Sequence, residues 1–312
     1  DGTFALIVDL NTDALRKVII ETGVVTTITD MQSALTYGLT ISRDGTFAII
    51  SNPYHARANK ISKVMLDTGV VTTLAEGFNH PLGMDVSPDG TFILVADSGN
   101  NSIRKIIMET GYVSTLAGTG DYNYNDGHGS SAQFRAPSDV AISSDGKFAL
   151  VTDTNNNKIR KIILDTRVVS TVAGAASAAG AASVAGFNDG PPDSAKFSAP
   201  YKITISPDGT FAFVVDSNNG AIRAVNVTTG YVTTITNQIN QPRDIDIDPC
   251  GNFVLVADRD NHAVNKITFN TTETETKTDN NDIIWDKELK KWIICTSTKL
   301  YESSSLFNLL KT

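Results

Sequence analysis

Charged residues recur in this chain at a fixed spacing: an Asp is followed seven residues later by an Arg at Asp9 and Arg16, Asp97 and Arg104, Asp153 and Arg160, and Asp216 and Arg223. The pattern has two chemical readings. The four pairs form a ring of charged ligand-binding groups, or each is an ion pair inside its own unit, with the Asp ending one strand and the Arg opening the next. One further copy decides between them, because Asn52 and Ser62 stand where the Asp and Arg belong and both charges vanish together. Joint loss fits mutual dependence, since a buried charge left without its partner is strongly destabilising. The pairs are therefore expected to build the fold.

Other reactive side chains are sparse. His55, His80, His128 and His262 are the only histidines, and they occupy non-equivalent places; His262 has Asn101, Asn157 and Gly220 at the matching positions, as a turn residue would. A metal site needs the other three to converge at a common pore. Cys250 and Cys295 lie in no Cys-x-x-Cys or Cys/His spacing, which argues against structural zinc and leaves isolated thiols as the reading ahead of a disulfide. No Gly-x-Ser-x-Gly elbow and no phosphate-cradling glycine loop is present. Catalytic residues and a cofactor are accordingly not expected, although a structural calcium ion on an axis, held by strand-end Asp and Asn oxygens, stays open.

What positions these residues is a repeat. Seven times a turn leads into an apolar strand: Asp1-Gly2 into Phe4–Asp9, Asp44-Gly45 into Phe47–Asn52, Asp89-Gly90 into Phe92–Asp97, Asp145-Gly146 into Phe148–Asp153, Asp208-Gly209 into Phe211–Asp216, Cys250-Gly251 into Phe253–Asp258, and a degenerate copy at Trp292–Ser297. In the third unit a weakly alternating strand over Leu82–Ser87 precedes the turn. The run Phe92–Ala96 is apolar on both faces, an Asn-rich turn follows at 97–101, then strands over Ser102–Met108 and Tyr112–Ala117 flank Thr110-Gly111. Four short antiparallel strands per unit, with turn signals and no helical period, specify the blade of a β-propeller. The expected blades lie near 1–30, 31–76, 77–120, 121–173, 187–237, 238–278 and 279–312, with 174–186 an Ala/Gly-rich insertion; the outer strand of blade six falls on the polar Thr271–Thr278. Seven second strands favour seven blades; a six-bladed ring closed by the C-terminal segment is the alternative.

The turns at Asp97 through Arg104, Asp153 through Arg160, Asp216 through Arg223 and Asp258 through Asn265 resemble those of the NHL-repeat propellers, the last containing Asn261-His262. Two connections add to the likeness: Asn125-Asp126-Gly127 leading to Ala132, Phe134 and Pro137 matches Asn188-Asp189-Gly190 leading to Ala195, Phe197 and Pro200. The resemblance implies a scaffold on which binding modules and a few enzymes are both built.

The 312 residues carry a formal charge of −8 with basic residues scattered, which weighs against a nucleic-acid surface. No apolar run is long enough to span a bilayer. The chain opens on Asp1 without Met or a signal-like segment, and is expected to be part of a longer polypeptide or assembly. Because successive strands reverse, the Asp-Gly and Thr-Gly turns share one face and the Asn-rich turns and inter-blade connections the other. All length variation falls on that second face, which holds the candidate binding residues Tyr54, His55, Arg57, Tyr122, Tyr124 and His128. Variable loops on a rigid scaffold usually carry recognition. Sequons at Asn100, Asn226 and Asn270 are candidate glycosylation sites and point to an extracellular or cell-surface protein. The expected function is non-enzymatic recognition or scaffolding of a protein or glycan; the alternative is a metal-dependent hydrolase or lyase with its site at the central pore.

Overall fold

The computed structural model describes residues 3–9, 12, 14–31, 37–52, 59–175 and 184–269, together with the backbone of 282–286, 291–296 and 299–302. Tyr54, His55, Arg57, Asn270, the side chain of Cys295, residues 176–183 of the insertion and the expected strand at Thr271–Thr278 lie outside the described residues.

Among the described residues, seven antiparallel sheets follow one another along the chain. Blades two to five have the full set of four strands, running inner, second, third, outer in sequence order; blade four also gains a short fifth strand, Gly127–His128, on its outer edge. The described strands of blade one are the counterparts of the second, third and outer strands, Phe4–Asp9, Ala14–Ile19 and Val25–Asp30. Residues Asp282–Asp286, Lys291–Thr296 and Lys299–Glu302 pair among themselves as a separate sheet instead of adding a strand to blade one. The inner strands Gly38–Ile41, Pro81–Val86, Asp139–Ile142, Pro200–Ile205 and Pro242–Ile247 adjoin one another in that order around the axis.

Local chemistry explains each turn. In the Asp-Gly turns the Ser87 hydroxyl donates to Asp89 Oδ1 at 2.6 Å and the same oxygen accepts the Thr91 amide at 3.0 Å, an arrangement repeated at Ser42/Asp44 and Ser143/Asp145. These bonds favour the ionised carboxylate and pull Asp89 and Asp145 down to about 2. The Asn-rich turns are single 3₁₀ turns, Ser98–Asn100, Thr154–Asn156 and Ser217–Asn219, each closed by a left-handed residue: Asn101 (φ 48°), Asn157 (φ 52°) and Gly220 (φ 59°). His262 takes that conformation at φ 51°, the turn role its alignment predicts.

Blades pack through apolar faces. Leu94, Ala96 and Ile103 of blade three meet Val140, Val151 and Ile162 of blade four around the wholly buried Phe134, and Phe197 does the same between blades four and five. The two phenylalanines belong to the matching connections, which are thus part of the core. Lysines in the third strand close the solvent side, with Lys63 over Phe47 at 3.8 Å, Lys105 over Phe92 at 3.9 Å and Lys161 over Phe148 at 4.1 Å.

Candidate functional site

All four Asp/Arg pairs form inside their own blades. Arg16 Nε lies 2.9 Å from Asp9, Arg104 Nη1 3.1 Å from Asp97, Arg160 Nη1 2.7 Å from Asp153 and Arg223 Nη1 2.7 Å from Asp216. In blades four and five both partners have fully buried side chains. Burial pushes the Asp153 carboxyl up, opposed by Arg160, by the Arg135 backbone amide and by the Asn156 side chain. Its Oδ1 accepts the Arg135 amide at 2.8 Å, and Asn156 Nδ2 donates to Oδ2 at 2.9 Å. The remaining donors of Arg160 go to Asp126 Oδ1 at 2.6 Å and to the carbonyls of Gln133 and Asn125. Arg223 repeats this set with Asp189, Lys196 and Asn188. The Asp-Gly of each connection is therefore a clasp on a buried arginine, a role the sequence shows only as a matched tripeptide. In blade six Asn265 replaces the arginine and still donates to Asp258 at 3.0 Å.

The propeller axis carries a second polar set, which the sequence reading passed over. Asp85 Oδ2 of blade three accepts the Ile142 amide of blade four at 2.8 Å, and Asp139 Oδ2 of blade four accepts the Ile203 amide of blade five at 3.0 Å. Lys202 Nζ of blade five lies 3.7 Å from both Asp139 and Asp244, the latter in blade six. Side chains of successive inner strands thus stitch blades three to six. The Asp139 carboxylate also fills the space above Gly83, where an added Cβ would come within 1.7 Å of its Oδ1. Burial pushes Asp85 up to about 6, against the Ile142 amide and Arg43. Burial likewise takes Asp139 up to about 7, with Lys202 opposing and Asp244 adding to the rise. Burial pulls Lys202 down, but Asp139 and Asp244 outweigh it and keep the ammonium charged. Asp246 is surrounded by the blades yet open to solvent, so water moderates the upward push that burial and its acidic neighbours exert. Among the described residues, no three His, Cys, Asp or Glu side chains are arranged to hold one metal ion.

On the loop-rich face the expected residues separate. Tyr122 is 56% exposed, and its hydroxyl accepts a hydrogen bond from Asn155 Nδ2 at 2.8 Å. It walls a cleft of about 360 Å³ shared with His80, Ser98, Asn101 and Ala136. Tyr124 is half-buried instead, with its ring against Arg160 at 4.9 Å and Lys158 at 4.7 Å and its hydroxyl bonded to Thr171. Phe187 covers Arg223 in the same manner at 4.8 Å. His128 sits in the short fifth strand at the outer edge of blade four, bonded to Ser130, and takes no part in the cleft. Of the sequons, the Asn100 amide already donates to buried Asp97 at 2.8 Å, and Asn226 caps its own turn through the Thr228 and Thr229 amides. Cys250 is exposed and unpaired.

The family described as "Lactonase, 7-bladed beta-propeller" matches residues 75–288. The chain belongs to that family. Its description gives seven blades, the number expected from seven second strands; the structure shows six blades through Thr268, and the strands between 282 and 302 form a further three-stranded sheet. This lactonase-type propeller is also similar to the Arabidopsis thaliana protein SUPPRESSOR OF QUENCHING 1, chloroplastic, at 34% identity over 161 residues, 49% of this chain and 14% of that protein. The human NHL repeat-containing protein 2 is 35% identical over 94 residues, 30% of this chain and 13% of that protein, in keeping with the NHL likeness of the turns. The chain spans only 14% and 13% of the length of these two relatives. Among solved structures, an auxiliary nutrient binding protein from Bacteroides thetaiotaomicron superposes with a TM-score of 0.68 at 18% identity, over 85% of this chain and 66% of that one. A chain of a nidogen/laminin complex gives 0.64 at 14% identity, over 85% and 88%. At these identities the likeness shows the fold alone.

Proposed function

We propose that this propeller is a non-enzymatic recognition module that holds a protein or glycan on its loop-rich face, outside the cell or at its surface, as part of a larger polypeptide or assembly. One observation carries the reading: the repeated Asp and Arg residues are paired with each other inside the blades, whereas Tyr122, where the next matching connection has Ala185, stands exposed at the wall of a cleft. The solved neighbours whose names speak of nutrient binding and of a nidogen/laminin complex support the same use of the scaffold. The acidic balance speaks against nucleic acid as the partner. No helix among the described residues is long and apolar enough to cross a membrane. The test immobilises the chain and screens defined oligosaccharides and extracellular-matrix proteins. A binder whose affinity falls about tenfold or more with Tyr122→Ala supports the reading; a binder indifferent to every loop-face substitution contradicts it.

A second reading, hydrolysis or elimination at the central pore with a metal ion, is favoured by one observation: Asp85 and Asp139 lie on the axis with carboxyls pushed up toward neutrality, as acid–base catalysis requires. Metal analysis of the purified chain and a lactone-hydrolysis assay with Asp139→Asn test it. A stoichiometric ion and a turnover lost in that variant would replace the recognition reading.

A further inference from the structure

Two arginines at the loop-rich end of the axis have no anion to answer them. The Arg135 guanidinium lies 4.8 Å from the Tyr122 ring and that of Arg243 lies 5.7 Å from the Tyr201 ring. Neither makes an ion pair among the described residues, and the buried Nε of Arg135, like those of Arg104 and Arg223, has no hydrogen-bond partner. Among the other described arginines, Arg16, Arg104, Arg160, Arg223 and Arg259 each hold an Asp, whereas Arg43 donates to the Val86 carbonyl and, like Arg167, forms no ion pair among the described residues.

Position sets Arg135 and Arg243 apart. Arg135 immediately precedes Ala136, whose φ of 46° turns the chain into the inner strand of blade four, and both Ala136 and Tyr122 line the cleft. Arg243 follows Pro242 at the start of the blade-six inner strand, the register that Leu82 holds in blade three, where Leu82 lines the same cleft. The equivalents of Arg135 are Asn79 and Ser198, whose backbone amides repeat its bond to the strand-end Asp. The backbone role is common to three blades; the guanidinium is peculiar to one.

We propose that the cleft beside Tyr122 and Arg135 takes the carboxylate-bearing ring of an acidic sugar. A guanidinium offers two parallel N–H donors that match a carboxylate, and one already laid against an aromatic ring is held in plane before the ligand arrives. The exposed Tyr122 ring supplies an apolar edge for the C–H face of a pyranose while neutral groups such as the Ser98 hydroxyl meet its hydroxyls. A cleft of about 360 Å³ suits a compact ring and not an extended chain, which favours a sugar over an acidic peptide. The proposal rests on the loop-face recognition reading and names its ligand class.

Calorimetric titration of the chain with a tetramer of galacturonic acid, its methyl ester and a glucose tetramer tests the class. Binding of the acid, weakened about tenfold or more by methylation and by Arg135→Met with an unchanged melting temperature, is the expected result; Arg135→Lys recovers only part of it, because one ammonium does not replace the planar fork. Equal binding of acid and ester, or binding of the glucose tetramer alone, overturns the acidic assignment and leaves loop-face recognition standing. No binding of any of the three also overturns the sugar assignment, and binding of a hexa-aspartate peptide in their place moves the site to acidic peptides.

Discussion

Arg160 and Asp126 meet at 2.6 Å across a sequence separation of 34 residues, joining the third strand of blade four to the connection that precedes that blade. Arg223 and Asp189 repeat the contact one blade on, again at 2.6 Å. The connection is thereby fastened to the blade it introduces. Asp126 is 41% exposed while Arg160 and Asp153 are buried, so the three charges are not equivalent in energy. Asp126→Asn should cost about 1 kcal/mol, since a partly solvated pair contributes little, whereas Asp153→Asn should cost about 3 kcal/mol, because it removes the fully buried anion and leaves Arg160 only the half-exposed Asp126. Urea unfolding of the two variants side by side checks the order.

Blade two offers a reconstruction. Asn52 and Ser62 are both 2% exposed and stand in for the absent pair. Asn52→Asp and Ser62→Arg should each destabilise alone by burying an unanswered charge. In the double variant the losses should fall short of their sum by about 1 kcal/mol or more, the coupling a double-mutant cycle reads directly.

Close approach at the axis gives a steric prediction. Gly83→Ala brings a Cβ to within 1.7 Å of Asp139 Oδ1, so the side chain or the inner strand must move. A loss of about 1–3 kcal/mol is expected. Combining Gly83→Ala with Asp139→Ala should be markedly less than additive, because the second change removes the clashing group; additive losses would mean that the backbone around Gly83, and not Asp139, is the constraint.

The axial carboxylates set a pH dependence with a definite sign. Asp85 is raised to about 6 and Asp139 to about 7, against about 3.9 in an unfolded chain. Between these values the folded state binds more protons than the unfolded one, so this contribution to stability is present near pH 4 and lost as pH rises through 6 to 7. The slope is at most about 1.4 kcal/mol per pH unit per group. Denaturation midpoints at pH 5.5 and pH 8 should differ in favour of the lower pH, and Asp85→Asn should narrow the gap.

The strands, turns and Asp/Arg pairs were legible because each depends on residues close in sequence: Asp153 and Arg160 lie seven apart and face each other across a single turn. Asp126 was visible only as part of a matched Asn-Asp-Gly, since its partner lies a blade-length away and no local pattern links them. The axial set was missed for a different reason. Asp85, Asp139, Lys202 and Asp244 sit in weakly alternating inner strands, where a polar residue reads as solvent-facing until the ring places it against the next blade. The second or fourth residue after the strand-opening Pro81, Pro137, Pro200 or Pro242 is the signal that would have found them. Tyr124 and Tyr122 are two residues apart in one loop, yet one ring covers a buried arginine and the other faces solvent.

The central claim is that the repeated charges build the blades while the departures from the repeat carry recognition, and chemical denaturation of Arg160→Met beside Tyr122→Ala tests it most directly. Arg160→Met should lose about 3–5 kcal/mol, because Asp153 stays buried without its cation, while Tyr122→Ala should change stability by about 1 kcal/mol or less, as an exposed side chain does. Equal losses in the two variants, or an Arg160→Met chain as stable as the parent, would contradict the account.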